Sequence, residues 1–131
     1  MDVSGLIDTR EGWVDRRIFW DEAIYQQELD RVFARAWLFV AHESELPKSG
    51  DFLTTYMGQD SVIVARHTDG RIRVFTNSCT HRGNRICFAD AGHARQFTCN
   101  YHGWSFGTDG ALLGMHEEAH FAGWLDKPRW G

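Results

Sequence analysis

The sequence lacks an apolar run long enough to cross a bilayer, and its beginning, MDVSGLIDTREGWVDRR, has no basic segment followed by an apolar one. A membrane span needs about 20 consecutive apolar residues, and a secretory signal needs both segments. Basic residues are also in deficit, with 14 Lys and Arg against 18 Asp and Glu and a net charge of -4. Nucleic acids and anionic membranes are bound through a basic surplus. We therefore expect a cytoplasmic protein whose partners are proteins or small molecules, with no nucleic-acid or membrane partner.

Cysteine is equally scarce, and the 3 cysteines of the chain are too few for a disulfide framework. Cys79 and Cys99 each stand close to a histidine, at spacings typical of metal ligands. Only Cys87 is left over, and we interpret it as a small buried apolar residue, as free cysteine commonly is. The cysteines therefore indicate metal chemistry and not covalent cross-linking.

Hydrophobic residues are plentiful, at 43% of the 131 residues with 14% aromatic, which is ample for the core of one globular domain. After Asp21, apolar side chains recur at spacings of three and four, the period of an amphipathic helix. With Asp21 as N-cap, this pattern predicts a helix over residues 22–37 with a buried apolar stripe. The stripe comprises Tyr25, Leu29, Val32, Phe33 and Ala36.

Short apolar segments broken by turn residues follow the helix, a pattern typical of β-strands. In chain order, the predicted strands are Trp37–Ala41, which we expect to be buried, then Phe52–Tyr56, Ser61–His67 and Arg71–Thr76. Asp69-Gly70 and Thr108-Asp109-Gly110 are hairpin turn signals. We therefore predict a mainly β protein, with a lead-in and one N-terminal α-helix at residues 1–40 and a small antiparallel β domain at residues 41–131.

The run CTHRGNRICFADAGHARQFTCNYHGW carries the densest chemistry of the chain. It contains a Cys-x-His pair, Cys79 and His81, and a Cys-x-x-His pair, Cys99 and His102, each followed closely by glycine. Such pairs describe two loops that each bring one thiolate and one imidazole to a shared centre. Zinc accepts two sulfurs and two nitrogens, but structural zinc sites favour C-x2-4-C and H-x3-5-H pairs. The mixed pairs suit a Rieske [2Fe-2S] centre better, because there one iron takes both thiolates and the other both imidazoles.

This set of ligands has an electronic consequence. Two neutral imidazoles in place of two thiolates remove roughly two negative charges from the cluster, so that adding an electron costs less Coulomb energy. Backbone N–H groups of the glycine-containing loops can also point at sulfur, and each histidine keeps a second ring nitrogen for a proton or a partner. The pattern therefore predicts an electron carrier whose reduction potential is raised relative to that of an all-cysteine cluster.

The longer runs Cys79–Arg85 and Cys99–Trp104 resemble the C-x-H-R-G and C-x-Y-H-G-W boxes of a known family, the large (α) subunits of Rieske-type aromatic ring-hydroxylating oxygenases. The resemblance extends over about residues 20–131 and includes the run RVFARAWLFVAHESELPKSGDFLTTYMGQDSVIVAR. It implies a Rieske [2Fe-2S] cluster in an iron–sulfur β domain. By the same resemblance, the cluster ligands are Cys79, His81, Cys99 and His102.

The resemblance also implies a role and partners. In this family the Rieske domain takes electrons from a ferredoxin or reductase and passes them to a mononuclear non-heme iron, which hydroxylates an aromatic ring with O2. That iron lies in a neighbouring α subunit of a trimer, where a carboxylate bridges the second Rieske histidine, here His102, to an iron ligand. A small β subunit is a further candidate partner. The aromatic substrate, and the choice between mono- and dioxygenation, depend on the catalytic domain.

The same resemblance distinguishes two kinds of Rieske centre. Respiratory and photosynthetic Rieske proteins carry an extra cysteine in each box, and these two cysteines form a disulfide. They also carry a serine whose hydroxyl is directed at the cluster. Asn84, Tyr101 and Trp104 stand at those positions here. With both potential-raising devices missing, the chain resembles the lower-potential kind, which suits it to accept electrons from a ferredoxin or reductase.

Oxygenase α subunits continue into a catalytic domain whose iron is held by two histidines and a carboxylate, in a D-x2-H-x4-H arrangement. No histidine outside the two boxes belongs to such a D-x2-H-x4-H arrangement. These histidines are His42, His67, His93, His116 and His120. We interpret His42 and His93 as solvated loop residues and His67 as a strand-end residue. From the ending LDKPRWG we expect a fragment that lacks the last Rieske strands, with electron transfer present and hydroxylation absent.

Two other functions stay open on the sequence alone: a stand-alone electron carrier of the Rieske ferredoxin type, and a zinc-binding structural module. The run His116–His120 also fits the H-E-x-x-H motif of zinc proteases. Gly114 and Gly123 bracket that run and no helical periodicity precedes it, so we interpret it as a loop.

Four residues inside the boxes have two interpretations each. Tyr101 is either a core aromatic residue or a hydrogen-bond donor toward a sulfur, and Trp104 is interpreted mainly as core packing. Arg82 and Arg85 are either solvated charges or contacts to a neighbouring subunit or redox partner.

Overall fold

A computed structural model of the chain describes residues 4–121 and 123–131. The chain divides into two compact units, Met1–Phe39 and Val40–Gly131. The sequence places a domain boundary between residues 40 and 41, one residue from this division. Among the described residues, no helix has the length and apolar character that crossing a membrane requires.

The smaller unit is built from short elements. Its strands β1 (Ile7–Asp8) and β2 (Trp13–Val14) pair antiparallel, and 3₁₀ turns span Ser4–Leu6 and Arg16–Phe19. Two-residue strands bury little surface, and the buried apolar residues described in this unit are Leu6 and Ile24.

The predicted helix begins where the sequence indicates. The carboxylate of Asp21 accepts hydrogen bonds from the N–H groups of Ala23 (2.9 Å) and Ile24 (3.2 Å), which satisfies two free donors of the first turn. Helix α1 (Glu22–Glu28) then continues as one π-helical segment, Leu29–Phe33, and ends. The predicted N-cap is confirmed, and the predicted end at residue 37 is wrong.

The predicted burial of the apolar stripe is largely wrong. Tyr25 and Phe33 are each 38% exposed and Val32 is 52% exposed, whereas Ile24, outside the stripe, is buried. For Val32 and Phe33 the physical reason is the π turn, in which the N–H of Ala34 bonds the carbonyl of Leu29. The extra residue in this turn rotates these side chains away from the face that a regular helix would present. Tyr25 precedes the π turn, which therefore does not explain its exposure.

The predicted strand at Trp37–Ala41 does not form. Residues 37–42 are irregular, and Trp37 and Phe39 are 103% and 81% exposed. No strand in the described part of the chain pairs with this run, and a buried β-strand needs a neighbouring strand to take its backbone hydrogen bonds. A 3₁₀ turn, Glu43–Glu45, follows, and His42 caps it with its ring Nδ1.

The larger unit contains two antiparallel sheets. The first has the strand order β5-β4-β3-β6, formed by β3 (Asp51–Met57), β4 (Asp60–Arg66), β5 (Ile72–Thr76) and β6 (Ala91–His93). The second has the order β7-β8-β9, formed by β7 (Gln96–Thr98), β8 (Ser105–Gly107) and β9 (Leu112–Gly114). The short helix α2 (Glu118–Phe121) and a 3₁₀ turn, Lys127–Trp130, end the chain. The three strands predicted between residues 52 and 76 and the mainly β fold class are confirmed.

Both predicted hairpin turns are confirmed. Gly70 (φ +81°) and Gly110 (φ +87°) take the left-handed conformation that a side chain disfavours. Their N–H groups close the turns on the carbonyls of His67 and Gly107, each at 3.0 Å.

Aromatic rings join the two sheets into one core. Phe97 of β7 contacts Phe52 of β3 edge to face at 5.1 Å and Phe75 of β5 at 5.9 Å. The same buried cluster contains Cys79, Cys99 and Trp104, so both cysteines of the sequence's metal motif are part of the core.

Asn77 ties the chain between the two motif halves back to the sheet. Its Oδ1 accepts from the N–H groups of Ile86 (3.2 Å) and Cys87 (2.8 Å), and its Nδ2 donates to the Cys87 carbonyl (2.7 Å) and to Ser61 Oγ (3.2 Å). The side chain is buried and fully hydrogen-bonded, which is the condition under which a buried amide is stabilising.

We expect Asn77→Ala to lower the free energy of unfolding by about 3 kcal/mol, because it leaves two N–H groups and a carbonyl without their buried partner. Urea denaturation measures this difference. The control is Ser78→Ala at the exposed neighbouring position, which should change the free energy by less than about 0.5 kcal/mol. Equal stabilities of the two variants would contradict the role assigned to Asn77.

Candidate metal centre

Two loops with the same main-chain geometry carry the predicted ligands. In the first, between β5 and β6, the Cys79 N–H donates to the Asn84 carbonyl (2.8 Å) and the Gly83 N–H to the Cys79 carbonyl (2.7 Å). In the second, which joins β7 to β8, Cys99 N–H donates to the Trp104 carbonyl (2.8 Å). Gly103 N–H likewise returns to the Cys99 carbonyl, at 3.0 Å. Each cysteine thus opens a closed loop of the same size.

The glycines make these loops possible. Gly83 and Gly103 occur four residues after their cysteines, with φ values of +70° and +72°. A residue with a Cβ would be strained in this conformation. The predicted arrangement, in which each of two glycine-containing loops presents one cysteine and one histidine, is thus present.

The two cysteines face the core. Cys79 and Cys99 are each 2% exposed, and their thiols are close enough for each to affect the pKa of the other. Burial raises the pKa of the Cys79 thiol. Burial also acts to raise the pKa of Cys99, but hydrogen bonds to its sulfur outweigh it and lower that pKa below its usual value. The donors are the backbone N–H groups of Tyr101 and His102 and the side-chain amide of Asn84.

The two histidines lie side by side. The rings of His81 and His102 are 4.7 Å apart at an angle of 69°. Burial lowers the pKa of His81, and the charges of His102 and Arg82 lower it further, so the imidazole is neutral with a lone pair free on one nitrogen. Within the described part of the chain, His81 Nδ1 is buried and has no hydrogen-bond partner.

These features fit a two-iron cluster. A buried nitrogen without a partner costs free energy unless something binds it, and a metal ion is a suitable partner for a neutral imidazole. Two thiols lie together, and two imidazoles lie together, as the division of ligands between two irons requires. Across residues 4–121 and 123–131, no three or more His, Cys, Asp or Glu side chains are arranged around a single metal ion.

Trp104 and Tyr101 each lie against one of the two imidazoles. Trp104 is 3% exposed and stacks on His81 at 4.8 Å and 9°, so it belongs to the core and also contacts a predicted ligand. Tyr101 is 59% exposed, so its interpretation as a core residue is wrong. Its ring lies 3.8 Å from that of His102, and its backbone N–H, not its hydroxyl, bonds the Cys99 sulfur.

Two contacts at the site were not predicted from the sequence. Asn84 Nδ2 lies 3.5 Å from Cys99 Sγ and 2.9 Å from Asn100 Oδ1, in the other loop. Thr80 Oγ1 donates to the carbonyl of Trp130 at 2.7 Å, which joins the end of the chain to the first loop. The signal for Asn84 was its place in the first box, at a position that other Rieske proteins fill with cysteine.

The two arginines of the first box differ in their contacts. Arg85 Nε donates to the Cys87 carbonyl at 2.9 Å, and its guanidinium lies 5.5 Å from the Phe88 ring centroid. Arg82 is exposed. Cys87 is 9% exposed, which confirms its interpretation as a buried residue.

The histidines outside the boxes have local partners. His67 Nδ1 lies 2.7 Å from Thr108 Oγ1, just beyond the end of β4. His93 is exposed as predicted, but it belongs to strand β6 and not to a loop, and it pairs with Asp51 at 2.9 Å. The hydrogen bond from His93 lowers the pKa of Asp51.

The H-E-x-x-H run does not form a protease site. Glu117 has φ +55°, and helix α2 begins only at Glu118, so the two imidazoles are not on successive turns of one helix. His116 and His120 are 81% and 75% exposed and lie 4.0 and 3.3 Å from the Glu117 carboxylate. The interpretation as a loop holds up to Glu117, after which one helical turn follows.

The histidine side of the centre opens into a cleft of about 780 Å³. Its lining includes both imidazoles, His81 and His102, together with the apolar side chains of Met115 and Phe121. The thiols are in the dry core whereas the imidazoles face this opening, so the centre has one insulated side and one accessible side.

The chain is similar to proteins of known activity. The family model described as "Rieske [2Fe-2S] domain" matches residues 36–124. The α subunit of biphenyl 2,3-dioxygenase from Rhodococcus jostii (strain RHA1) is 53% identical over 131 residues, which are 99% of this chain and 28% of the relative. The α subunit of benzene 1,2-dioxygenase from Pseudomonas putida is 50% identical over 129 residues, 98% of this chain and 29% of the relative. A structure of naphthalene 1,2-dioxygenase with indole bound in the active site superposes with a TM-score of 0.83 at 45% identity, and covers 87% of this chain and 26% of that one.

The chain belongs to the Rieske [2Fe-2S] domain family, and its cofactor is a Rieske [2Fe-2S] cluster. The predicted resemblance to ring-hydroxylating dioxygenase α subunits is confirmed. The chain spans less than a third of the length of these relatives.

We expect Trp104→Leu to lower the free energy of unfolding by about 3 kcal/mol, since it opens a cavity beside His81. The matched control is Trp124→Leu, because Trp124 is 67% exposed and its loss should cost less than about 1 kcal/mol. Thermal and urea denaturation compare the two. If both substitutions cost the same, Trp104 is not the packing residue that the structure indicates.

Proposed function

We propose that Cys79, His81, Cys99 and His102 bind the Rieske cluster and that this chain is the electron-relaying part of an aromatic ring-hydroxylating oxygenase α subunit. The observation that carries the proposal is the pair of matching loops, in which two thiols meet in the core and His81 Nδ1 is buried without a partner in the described part of the chain. When bound, such a cluster accepts and releases one electron at a time.

The four proposed ligands would bind two different irons. Cys79 and Cys99 would hold one iron on the buried side, where the apolar core keeps water away from the sulfurs. His81 and His102 would hold the other iron on the side of the cleft. The backbone N–H groups of Tyr101 and His102 donate to the Cys99 sulfur, and donors of this kind stabilise negative charge on it.

The histidine side is where electrons would cross to partners. His102 is half-buried, and Tyr101 lies exposed over its ring, so a docking protein can approach this edge closely. One electron would arrive from a reduced ferredoxin or reductase and one would leave to an oxidised acceptor, with no atoms transferred. By resemblance, the acceptor is a mononuclear iron in a neighbouring α subunit of a trimer, reached through a carboxylate at His102, and a β subunit is a further candidate partner.

The activity of the whole protein is the hydroxylation of an aromatic ring with O2, by analogy with relatives named for biphenyl and benzene dioxygenation. The alternative, a stand-alone Rieske ferredoxin, has less support, because similarity to those α subunits includes the N-terminal helix and covers 98–99% of this chain. The cytoplasmic location and the domain division at residues 1–40 and 41–131 stay predictions.

The ligand assignment is tested with His102→Cys in the full chain. An anionic thiolate in place of a neutral imidazole adds negative charge beside the iron, so we expect a lower reduction potential. A redox titration followed by electron paramagnetic resonance (EPR) measures it, with iron and acid-labile sulfide determined on the same sample.

We also expect the purified unmodified protein to contain two irons and two acid-labile sulfides for each chain.

The matched control is His116→Cys, which adds the same thiol at a histidine that is 81% exposed on the nearby cleft wall. It should leave the potential unchanged. An unaltered potential in His102→Cys, or zinc without iron and sulfide in the unmodified protein, would refute the assignment and favour a zinc-binding structural module.

A further inference from the structure

Asn84 connects the two loops that carry the proposed ligands. Its side-chain nitrogen, Nδ2, lies 2.9 Å from Asn100 Oδ1, 3.5 Å from Cys99 Sγ and 2.9 Å from the Arg85 carbonyl. Asn84 and Arg85 belong to the first loop, whereas Cys99 and Asn100 belong to the second. The amide therefore spans the gap between the loops.

The neighbours determine which end of the amide faces them. A main-chain carbonyl and a thiolate only accept hydrogen bonds, and Asn100 presents its Oδ1. The amide nitrogen of Asn84, and not its oxygen, thus faces all three. Because the nitrogen carries two hydrogens for three acceptors, one N–H is shared between two of them.

Side chains at a metal ligand can tune the metal as well as position the ligand. Backbone N–H groups reach the Cys99 sulfur from its own loop, whereas Asn84 reaches it from the opposite loop. A donor to a ligand sulfur stabilises negative charge there, and each added electron increases that charge. The Asn84–Asn100 contact, on the exposed side, holds the loops at a fixed separation.

We propose that Asn84 is a positioning residue with two roles: it raises the reduction potential of the cluster through its bond to Cys99, and it ties the ligand loops together through Asn100. This inference rests on the proposed ligand assignment. It deepens that assignment by naming a residue that regulates the potential. Asn84 itself is not a ligand.

The two roles are separated by two substitutions in the full chain. Asn84→Leu has a similar size but no donor, and so removes both contacts, whereas Asn100→Ala removes the bridge and leaves the donor to sulfur in place. Asn84→Asp is a second variant of nearly identical shape, in which a carboxylate replaces the donor.

The first measurement is the midpoint potential, by EPR-monitored titration with dithionite, in which each cluster gains one electron and no atoms. For Asn84→Leu we expect the equilibrium constant for reduction to fall by about threefold to tenfold, and a tenfold change is about 59 mV for a one-electron couple. Asn84→Asp should lower it further because it adds negative charge. Asn100→Ala should change it by less than about twofold.

The second measurement is the rate at which each protein loses iron to the chelator bathophenanthroline disulfonate. Both Asn84→Leu and Asn100→Ala should lose iron faster than the unmodified protein, since both lack the bridge. If Asn84→Leu does not retain a cluster on purification, Asn84→Ala, which is also neutral and also lacks the donor, provides the same comparison.

The outcomes are distinct. The role at the sulfur is overturned if the midpoint potential of Asn84→Leu equals that of the unmodified protein. It is also overturned if Asn100→Ala lowers the midpoint potential as much as Asn84→Leu does. Equal rates of iron loss in all the proteins overturn the role as a bridge. If the unmodified protein has the Rieske EPR signal and the variants match it in potential and in rate of iron loss, only this inference is overturned. If the unmodified protein contains zinc, the ligand assignment is overturned as well.

Discussion

The larger unit depends on the packing of two cysteine-bearing loops into one core. Cys79 and Cys99 are each 2% exposed and lie in the same apolar cluster as Phe97, whose ring joins the two sheets. Each cysteine also starts a loop closed by the same two main-chain hydrogen bonds. Because protein interiors are close-packed, the sheets from which the loops extend bring the two loops side by side.

This arrangement gives the candidate centre two unlike sides. The thiols lie in a dry region where negative charge is costly, and N–H donors around Cys99 offset that cost. The imidazoles lie at a cleft, between the buried ring of Trp104 and the exposed ring of Tyr101. A redox centre with one insulated side and one open side can exchange electrons with a partner while its sulfurs stay away from water.

Elements that depend on neighbouring residues in the sequence were predicted well. The cap at Asp21, the turns at Gly70 and Gly110, and the strands on either side of Gly70 follow from short-range signals. Elements that depend on distant partners were not. The run after Trp37 is apolar enough for a strand, yet it has no pairing neighbour in the described part of the chain. The spacing of apolar residues also did not predict the π turn after Glu28.

For the candidate centre, the sequence alone determined the kind of cluster and yielded the proposed ligand residues with their spacing, because these depend on residues that are close together in the chain. The tertiary structure decided the rest. It brought the thiols together in the core, left His81 Nδ1 buried without a partner among the described residues, and placed Asn84 against Cys99 and Asn100. Those contacts join residues 15 and 16 positions apart in the chain. Packing and hydrogen bonding between loops create them, and no local pattern encodes such contacts.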